Sequence, residues 1–360
     1  EAGAGVMISA SHNPVEDNGI KFFGADGFKL SDAVENEIES LLDARDLPRP
    51  TGLDIGIVTP TRGLIDNYFA KLVAAGGDLR GLTVVVDAAF GAAYLVGPKI
   101  FERLGARVVA LHCEDDGSRI NVECGATHLA PLQARVREEI ARTSGRVVGV
   151  AFDGDADRAL FVDEAGEVLT GDHVMLIVAR DLARQGELPG RTVVGTVMAN
   201  MGFEKALERA RIGLVRAAVG DRYVLEAMRA GGFRFGGEQS GHVIDLARAT
   251  TGDGPMTAVA LFSTAMRAGS TLHDLAADLV RYPQVLLNVP VADKGVAEHP
   301  AVLDAIAGAE RELHGDGRIL VRPSGTEPLV RVMVEASDEG RTRAVAERVA
   351  EAVRGVAAPA

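Results

Sequence analysis

Residues 150–158 read V-A-F-D-G-D-A-D-R. The apolar run from Val147 to Phe152 has the composition of a buried strand, so Asp153, Asp155 and Asp157 fall on alternate residues where a strand runs out into a loop. Three carboxylates in one short turn repel one another. A hard divalent cation relieves that repulsion, and an all-oxygen ligand set selects Mg²⁺ or a close relative. Gly154 lets the turn close tightly enough for the carboxylates to converge. Arg158 adds a cation beside them, which suits a site that handles a phosphate as well as a metal.

Two other readings compete: a solvated acidic turn and an EF-hand. Counted from Asp153, acids stand at positions 1, 3 and 5 and Glu164 at position 12, as a calcium loop requires. Position 6 is Arg158, where an EF-hand needs Gly, and the flanks Val147 to Phe152 and Ala159 to Val162 read as strands, not helices. The metal-loop reading is therefore preferred.

The composition bounds the function. A chain of 360 residues exceeds one ordinary core and predicts two to four domains. Hydrophobic residues at 47% and charged residues at 25% describe a folded chain, and a formal net charge of −13 opposes non-specific nucleic-acid or membrane-surface binding. Aromatics are only 4% and Trp is absent, so platforms for stacking bases are scarce. No apolar stretch has the length of a membrane span and no signal peptide is visible, which makes a cytoplasmic enzyme the expectation. Cys113 and Cys124, near His112 and His128, have neither zinc-site nor disulfide spacing and read as free thiols.

Three further stretches offer chemistry. S-A-S-H-N-P (Ser9 to Pro14) follows a short apolar strand, Val6 to Ile8, and Pro14 fixes a loop that can hold Ser11 exposed; Lys21 lies close enough in sequence to return to it. F-G-G-E-Q-S-G-H (Phe235 to His242) sets three glycines around a carboxylate, an amide, a hydroxyl and an imidazole, a glycine-rich loop able to meet several sugar hydroxyls. R-P-S-G-T-E-P (Arg322 to Pro328), with Arg331 beyond it, offers backbone N–H groups, hydroxyls and guanidinium groups to a phosphate, without a Walker lysine. Each also reads as an ordinary turn.

Between these stretches, strand and helix patterns alternate. Helices are expected over 32–44, 64–75, 96–104, 132–143, 173–185 and 202–211, with strands at 82–86, 107–111, 147–152, 192–197 and 214–218. After a hinge at Tyr282 and Pro283, strands at 285–291, 319–321 and 329–335 accompany helices 300–313 and 341–353. The fold class is α/β and multidomain: successive mixed α/β sheet domains with helices packed on them, plus a smaller α+β C-terminal domain. The expected divisions are 1–75, 76–170, 171–283 and 284–360, the first being the remainder of a domain whose start is missing, because the chain opens abruptly at E-A-G-A-G.

In this order the four stretches resemble those of the α-D-phosphohexomutase family, which carries a serine loop, a metal loop, a sugar loop and a phosphate loop on four successive domains. The resemblance covers essentially the whole chain, and G-V-M-I-S-A-S-H-N-P, G-G-E-Q-S-G-H and I-N-V-E-C-G-A-T-H look most like the family's bacterial amino-sugar branch. It implies that Ser11 is a phosphorylated nucleophile which, with Asp153, Asp155 and Asp157, holds Mg²⁺, and that His12, Lys21 and Arg158 flank the transferring phosphate. Lys21 is the implied acid/base. Glu238, Ser240 and His242 would hold the sugar, with His242 a proton shuttle, and Arg322, Ser324, Gly325, Thr326 and Arg331 would grip the non-reacting phosphate. The implied reaction converts glucosamine 6-phosphate to glucosamine 1-phosphate through a 1,6-bisphosphate, which serves as intermediate and activator and feeds synthesis of UDP-N-acetylglucosamine and cell-wall precursors. The implied partner is a phosphosugar, in a chain that is also expected to form a homodimer. Alternatives are a relative acting on glucose or mannose phosphates, a metal-dependent phosphatase and a non-catalytic sugar-phosphate binding fragment. The family also carries a strand-rich stretch ahead of the serine loop, with no counterpart here, so the competence of the chain is expected to depend on it.

Overall fold

Every residue of Leu82–Asp87 is buried, as are all but the first of Arg146–Phe152, and these two strands pair in parallel at the centre of a five-stranded sheet. The computed structural model describes residues 2–42, 44, 46–61, 63–324 and 327–357. The chain divides into two compact units, Glu1–Met198 with Ala210–Asp278 and Ala199–Arg209 with Leu279–Ala360.

In the first unit, Arg107–Leu111 flanks Leu82–Asp87 in parallel on one side; beyond Arg146–Phe152 lie Ala159–Val162 and Val168–Leu169, both antiparallel. Strand alternation sends Val85, Val147 and Ala151 to one face, where they pack with Leu132 and Val136 of helix Ala130–Arg142. The neighbours Val86 and Phe152 point the other way. There Gly97 of helix Ala93–Arg103 lies so close that a Cβ on it would come within 3.1 Å of Val86 and 3.2 Å of Phe152. The chain thus leaves the central strand toward one neighbour and returns to the other, which makes the carboxyl ends of Leu82–Asp87 and Arg146–Phe152 a topological switch point. The D-G-D-A-D-R loop starts there.

A four-stranded sheet repeats this plan. Thr192–Thr196 lies between Gly213–Ala217 and Phe235–Gly237, all parallel, and Val243–Asp245 closes the edge antiparallel to Phe235–Gly237. The third element of the unit is the antiparallel pair Ala4–Ile8 and Ile20–Gly24. Residues 9–19, 153–158 and 238–242 therefore occupy the same kind of position: each joins a strand to the antiparallel partner that follows it.

The expected elements form, with ends shifted by a few residues, and two readings change. The first three residues of F-G-G-E-Q-S-G-H are a strand, not a loop; a Cβ on Gly236 would meet Val194 O at 2.6 Å, so glycine there serves close backbone packing. The sequence reading assigns no element between the sugar loop and Tyr282, yet Val243–Asp245, Gly254–Ala268 and Leu272–Ala276 lie there. Helix Gly254–Ala268 is capped by Asp253, whose side chain accepts the Met256 N–H, and stopped by Gly269 at φ 62°. Because it is buried almost all round it has no amphipathic stripe to detect.

The second unit is an antiparallel three-stranded sheet with Leu329–Ala336 between Gln284–Pro290 and Gly317–Pro323. Val330, Val332 and Val334 face helices Pro300–Leu313 and Glu339–Ala357, the latter contributing Val345, Ala346, Val349, Ala350 and Val353 at helical spacing. On the other face the fully buried Glu335 accepts hydrogen bonds from Arg318 and Asn200. Among the described residues no helix is long and apolar enough to cross a membrane.

Phe262 sits between the rings of Phe101 and Phe161, with centroids 5.5 and 5.6 Å away. Phe262→Ala should destabilise the first unit by about 3–5 kcal/mol, read as a shift of its urea unfolding transition; a change below about 1 kcal/mol would contradict the packing.

Candidate active site

The metal loop is built by backbone constraint before any side chain acts. A Cβ on Gly154 would come within 2.3 Å of Ser11 O, and one on Gly91 within 2.3 Å of Gly154 O, so three chain segments meet at main-chain distance. The Gly254 N–H donates to Ala156 O (2.9 Å), tying the loop to the start of helix Gly254–Ala268. Asp153, Asp155 and Asp157 each bring a carboxylate oxygen within 4.8 Å of the others.

Hydrogen bonds assign each oxygen. Asp153 Oδ2 accepts the Ser11 hydroxyl at 2.8 Å and Oδ1 the Arg158 N–H at 3.1 Å. Asp155 Oδ2 accepts from Lys21 Nζ (2.6 Å) and Ser9 Oγ (3.0 Å). Lys21 Nζ also lies 3.7 Å from Asp157 Oδ2. Among the described residues, Asp155 Oδ1 and Asp157 Oδ1 are buried without a hydrogen-bond partner. Two orphaned carboxylate oxygens beside a third acid fit a divalent cation of the hard, oxygen-seeking kind. The EF-hand reading fails on Glu164, which instead accepts Arg146 and the Leu272 N–H at 2.8 Å.

Electrostatics separate the three acids. Burial, with repulsion from Asp157 and Asp155, pushes Asp153 up to about 7. Burial alone would also raise Asp155, but the hydrogen bond and charge of Lys21 outweigh it and hold that carboxyl below its ordinary value. Lys21 is opposed by its own burial, yet its bond to Asp155 raises it, so it keeps its proton. His12, whose Nδ1 lies 3.3 Å from Ser11 Oγ, is lowered by burial and by Arg158 and is neutral near pH 7.

The sugar-loop residues lie against the metal loop. Ala159 N–H donates to Gly241 O at 3.1 Å, and Arg158 and His242 form an isolated antiparallel bridge. His242, only 2% exposed, has its Nε2 3.7 Å from Asp157 Oδ2 and 3.8 Å from Asp221 Oδ2. Glu238 Oε1 accepts the Gly220 N–H at 2.8 Å and Oε2 the Ser240 hydroxyl at 3.3 Å. The first unit thus brings together Ser11, His12, Lys21, the three aspartates, Arg158 and the Glu238–His242 loop.

Arg322, Ser324 and Arg331 belong to the second unit. Arg322 and Arg331 stand directly opposite each other on paired strands, an unfavourable arrangement of like charges that an anion would relieve. Arg331 reaches Glu327 at 2.9 Å through Nη2, while its Nε is buried without a partner among the described residues. Burial, and secondarily Arg331, lowers Arg322. Ser324 is buried, and its Oγ accepts the Glu327 N–H at 3.3 Å. Gly325 and Thr326 lie outside the described residues.

Sequence reasoning missed Ser9, Lys29, Asn121 and Asp221. Asn121 Nδ2 donates to the carbonyls of Ser11 (2.8 Å) and Asn13 (3.1 Å), and Lys29 pairs with Asp221 next to His242. These contacts span 108 to 192 residues, so only the polar composition of I-N-V-E-C-G and V-G-D-R hinted at them. Asp87, His112 and Cys124 form a second group with metal-ligand atoms, but Asp87 already accepts the N–H groups of Ala89 and Gly125 and faces His112 Nδ1 at 3.1 Å, so it reads as a loop anchor. Cys113 and Cys124 are free thiols, both pushed up to about 12 by burial.

Four family profiles match the chain in order: Phosphoglucomutase/phosphomannomutase, alpha/beta/alpha domain I over 1–49, domain II over 66–166, domain III over 170–282, and the C-terminal domain over 286–352. A protein of Symbiobacterium thermophilum named phosphoglucosamine mutase is 50% identical over 357 residues, 98% of this chain and 79% of that one. Among solved structures, a Burkholderia thailandensis phosphoglucomutase/phosphomannomutase family protein has a TM-score of 0.79 at 23% identity, covering 98% of this chain and 76% of that chain. An Aspergillus fumigatus N-acetylphosphoglucosamine mutase in complex with GlcNAc-6P and magnesium has a TM-score of 0.75 at 22% identity, covering 99% and 89%.

A cation held by Asp153 needs its carboxylate form, and burial with repulsion from its neighbours pushes that group up to about 7. Mg²⁺ affinity should therefore be nearly flat above about pH 8 and fall by up to about tenfold per unit below about pH 7, with proton release on binding. Calorimetry in two buffers of different ionisation enthalpy checks this; affinity that is constant down to pH 5.5 would refute the Asp153 assignment.

Proposed function

Since the chain belongs to the phosphoglucomutase/phosphomannomutase family, we propose that it interconverts glucosamine 6-phosphate and glucosamine 1-phosphate through a phosphorylated Ser11 and a 1,6-bisphosphate. The observation that carries the reading is the Ser11 hydroxyl donating at 2.8 Å into the three-aspartate cluster. Its substrate rests on relatives of Symbiobacterium thermophilum and Frankia alni, each 50% identical and named phosphoglucosamine mutase.

In the first half-reaction the phosphorus–oxygen bond to Ser11 breaks as one forms to the sugar hydroxyl, whose proton passes to a base. In the second, the other phosphate of the bisphosphate is transferred to Ser11, and the departing sugar oxygen recovers a proton. Asp153, Asp155 and Asp157 would hold Mg²⁺, which when bound neutralises charge on the transferring phosphoryl group. Arg158 balances its oxygens. Lys21 keeps its proton in this arrangement and serves as the acid, whereas neutral His12 is free to take one, and His242 lies beside Asp157 as the candidate proton shuttle. Glu238 and Ser240 bind sugar hydroxyls, and Arg322 and Arg331 hold the phosphate that is not reacting, so that remote binding orients the reacting end. Domains divided at 75, 170 and 283 would carry the four loops, in a cytoplasmic enzyme.

Intact-mass measurement after incubation with glucose 1,6-bisphosphate should find one phosphoryl group, mapped to Ser11, and Ser11→Ala should lose both the group and the mutase activity. Activity persisting in that variant would end the mechanism, and poorer turnover of glucosamine 6-phosphate than of glucose or mannose 6-phosphate would end the substrate assignment. Arg322→Ala should raise KM about 10- to 100-fold, as expected for one lost charged hydrogen bond, while Ser11 still accepts phosphate from a small donor. Equal loss of both would contradict the separate roles.

A further inference from the structure

Ser11 has φ 55°, a left-handed conformation that a residue with a side chain adopts only when its surroundings hold it there. Both of its backbone polar groups are pinned. The N–H donates to Ser9 Oγ at 2.9 Å, and the carbonyl accepts the Asn121 amide at 2.8 Å; the same amide spans to Asn13 O at 3.1 Å, bracketing His12 between two fixed carbonyls. Asn121 is itself left-handed at φ 61°, a region Asn tolerates, and its N–H donates to Ala89 O at 3.0 Å. Behind it, the fully buried Asp87 accepts the N–H groups of Ala89 (2.9 Å), whose carbonyl holds Asn121, and of Gly125 (3.0 Å), which follows Cys124, so both ends of the Asn121 to Cys124 stretch are tied to the end of the central strand.

We infer that Asn121 is a positioning residue that aims Ser11 at the phosphoryl group, working as the outer end of a brace anchored on Asp87. The inference rests on the phosphoserine reading above. Asn121 donates to the main chain of the serine loop and to none of the three aspartates, and its amide lies against Gly154, where a Cβ would come within 2.9 Å of Nδ2; it therefore fixes the backbone of the nucleophile without taking a place among the carboxylates. Only an amide does this: its two N–H groups donate to two carbonyls, and a carboxylate of the same shape would set oxygen against oxygen.

The test compares the unsubstituted full chain with Asn121→Asp, which keeps the shape and the left-handed tolerance, and Asn121→Gly, which keeps the backbone freedom and removes the amide. Phosphorylation of Ser11 by glucose 1,6-bisphosphate is followed by mass spectrometry, Mg²⁺ affinity by calorimetry and folding by thermal unfolding. Both variants should take up phosphate about 10- to 100-fold more slowly, the scale of a nucleophile misplaced by about 1 Å, with Mg²⁺ affinity unchanged within about threefold. Uptake within about threefold of the unsubstituted chain overturns the inference alone. Loss of Mg²⁺ affinity along with uptake also overturns it, since the residue would then be supporting the whole loop. No uptake by the unsubstituted chain overturns the phosphoserine reading and this inference together.

Discussion

Mutual repulsion among Asp153, Asp155 and Asp157 is the constraint around which the first unit is arranged. Carboxylates placed this close do not stay ionised together without compensation, and the chain supplies it in layers. Lys21 comes from the hairpin that carries Ser11, Arg158 from the loop itself, and a hydroxyl donates to each of Asp153 and Asp155. What remains unsatisfied among the described residues is one oxygen each on Asp155 and Asp157, which suits a divalent cation. The cost of assembling the cluster is met by burial elsewhere, chiefly the valine-rich, buried strands Leu82–Asp87 and Arg146–Phe152.

How much of this was legible in the sequence depends on whether neighbours in space are neighbours in the chain. The acidic loop was readable because its carboxylates are contiguous and follow an apolar run that only a buried strand explains. Helices with a polar face, such as Glu339–Ala357, announced themselves through periodicity, whereas Gly254–Ala268, wrapped in protein, had no contrast to offer. The glycines of F-G-G-E-Q-S-G-H suggested a loop for a good reason, since glycine usually marks one. Here two of them sit in a strand because main chains approach too closely for a Cβ.

Asn121, Asp221 and Lys29 show the opposite limit. Each is an ordinary polar residue in its own stretch, and each acquires its meaning from a segment more than a hundred residues away. Nothing local distinguishes Asn121 from a turn-forming asparagine. Tolerance of the left-handed region fits both descriptions, and only the two carbonyls of the serine loop tell them apart. The division of the chain is similarly non-local: Ala199–Arg209 groups with the C-terminal residues, far along the sequence, through contacts such as that between Asn200 and Glu335.

The seam between the acidic loop and the glycine-rich loop is made of main chain: the Ala159 N–H on Gly241 O, and the bridge between Arg158 and His242. Peptide groups are the same whatever residue bears them, yet this joint is selective at Gly241, whose φ is 96° and where a Cβ would come within 2.4 Å of Ala159 O. The two loops are therefore coupled through a position that admits only a hydrogen atom, and a side chain placed there would part the acidic loop from the glycine-rich one.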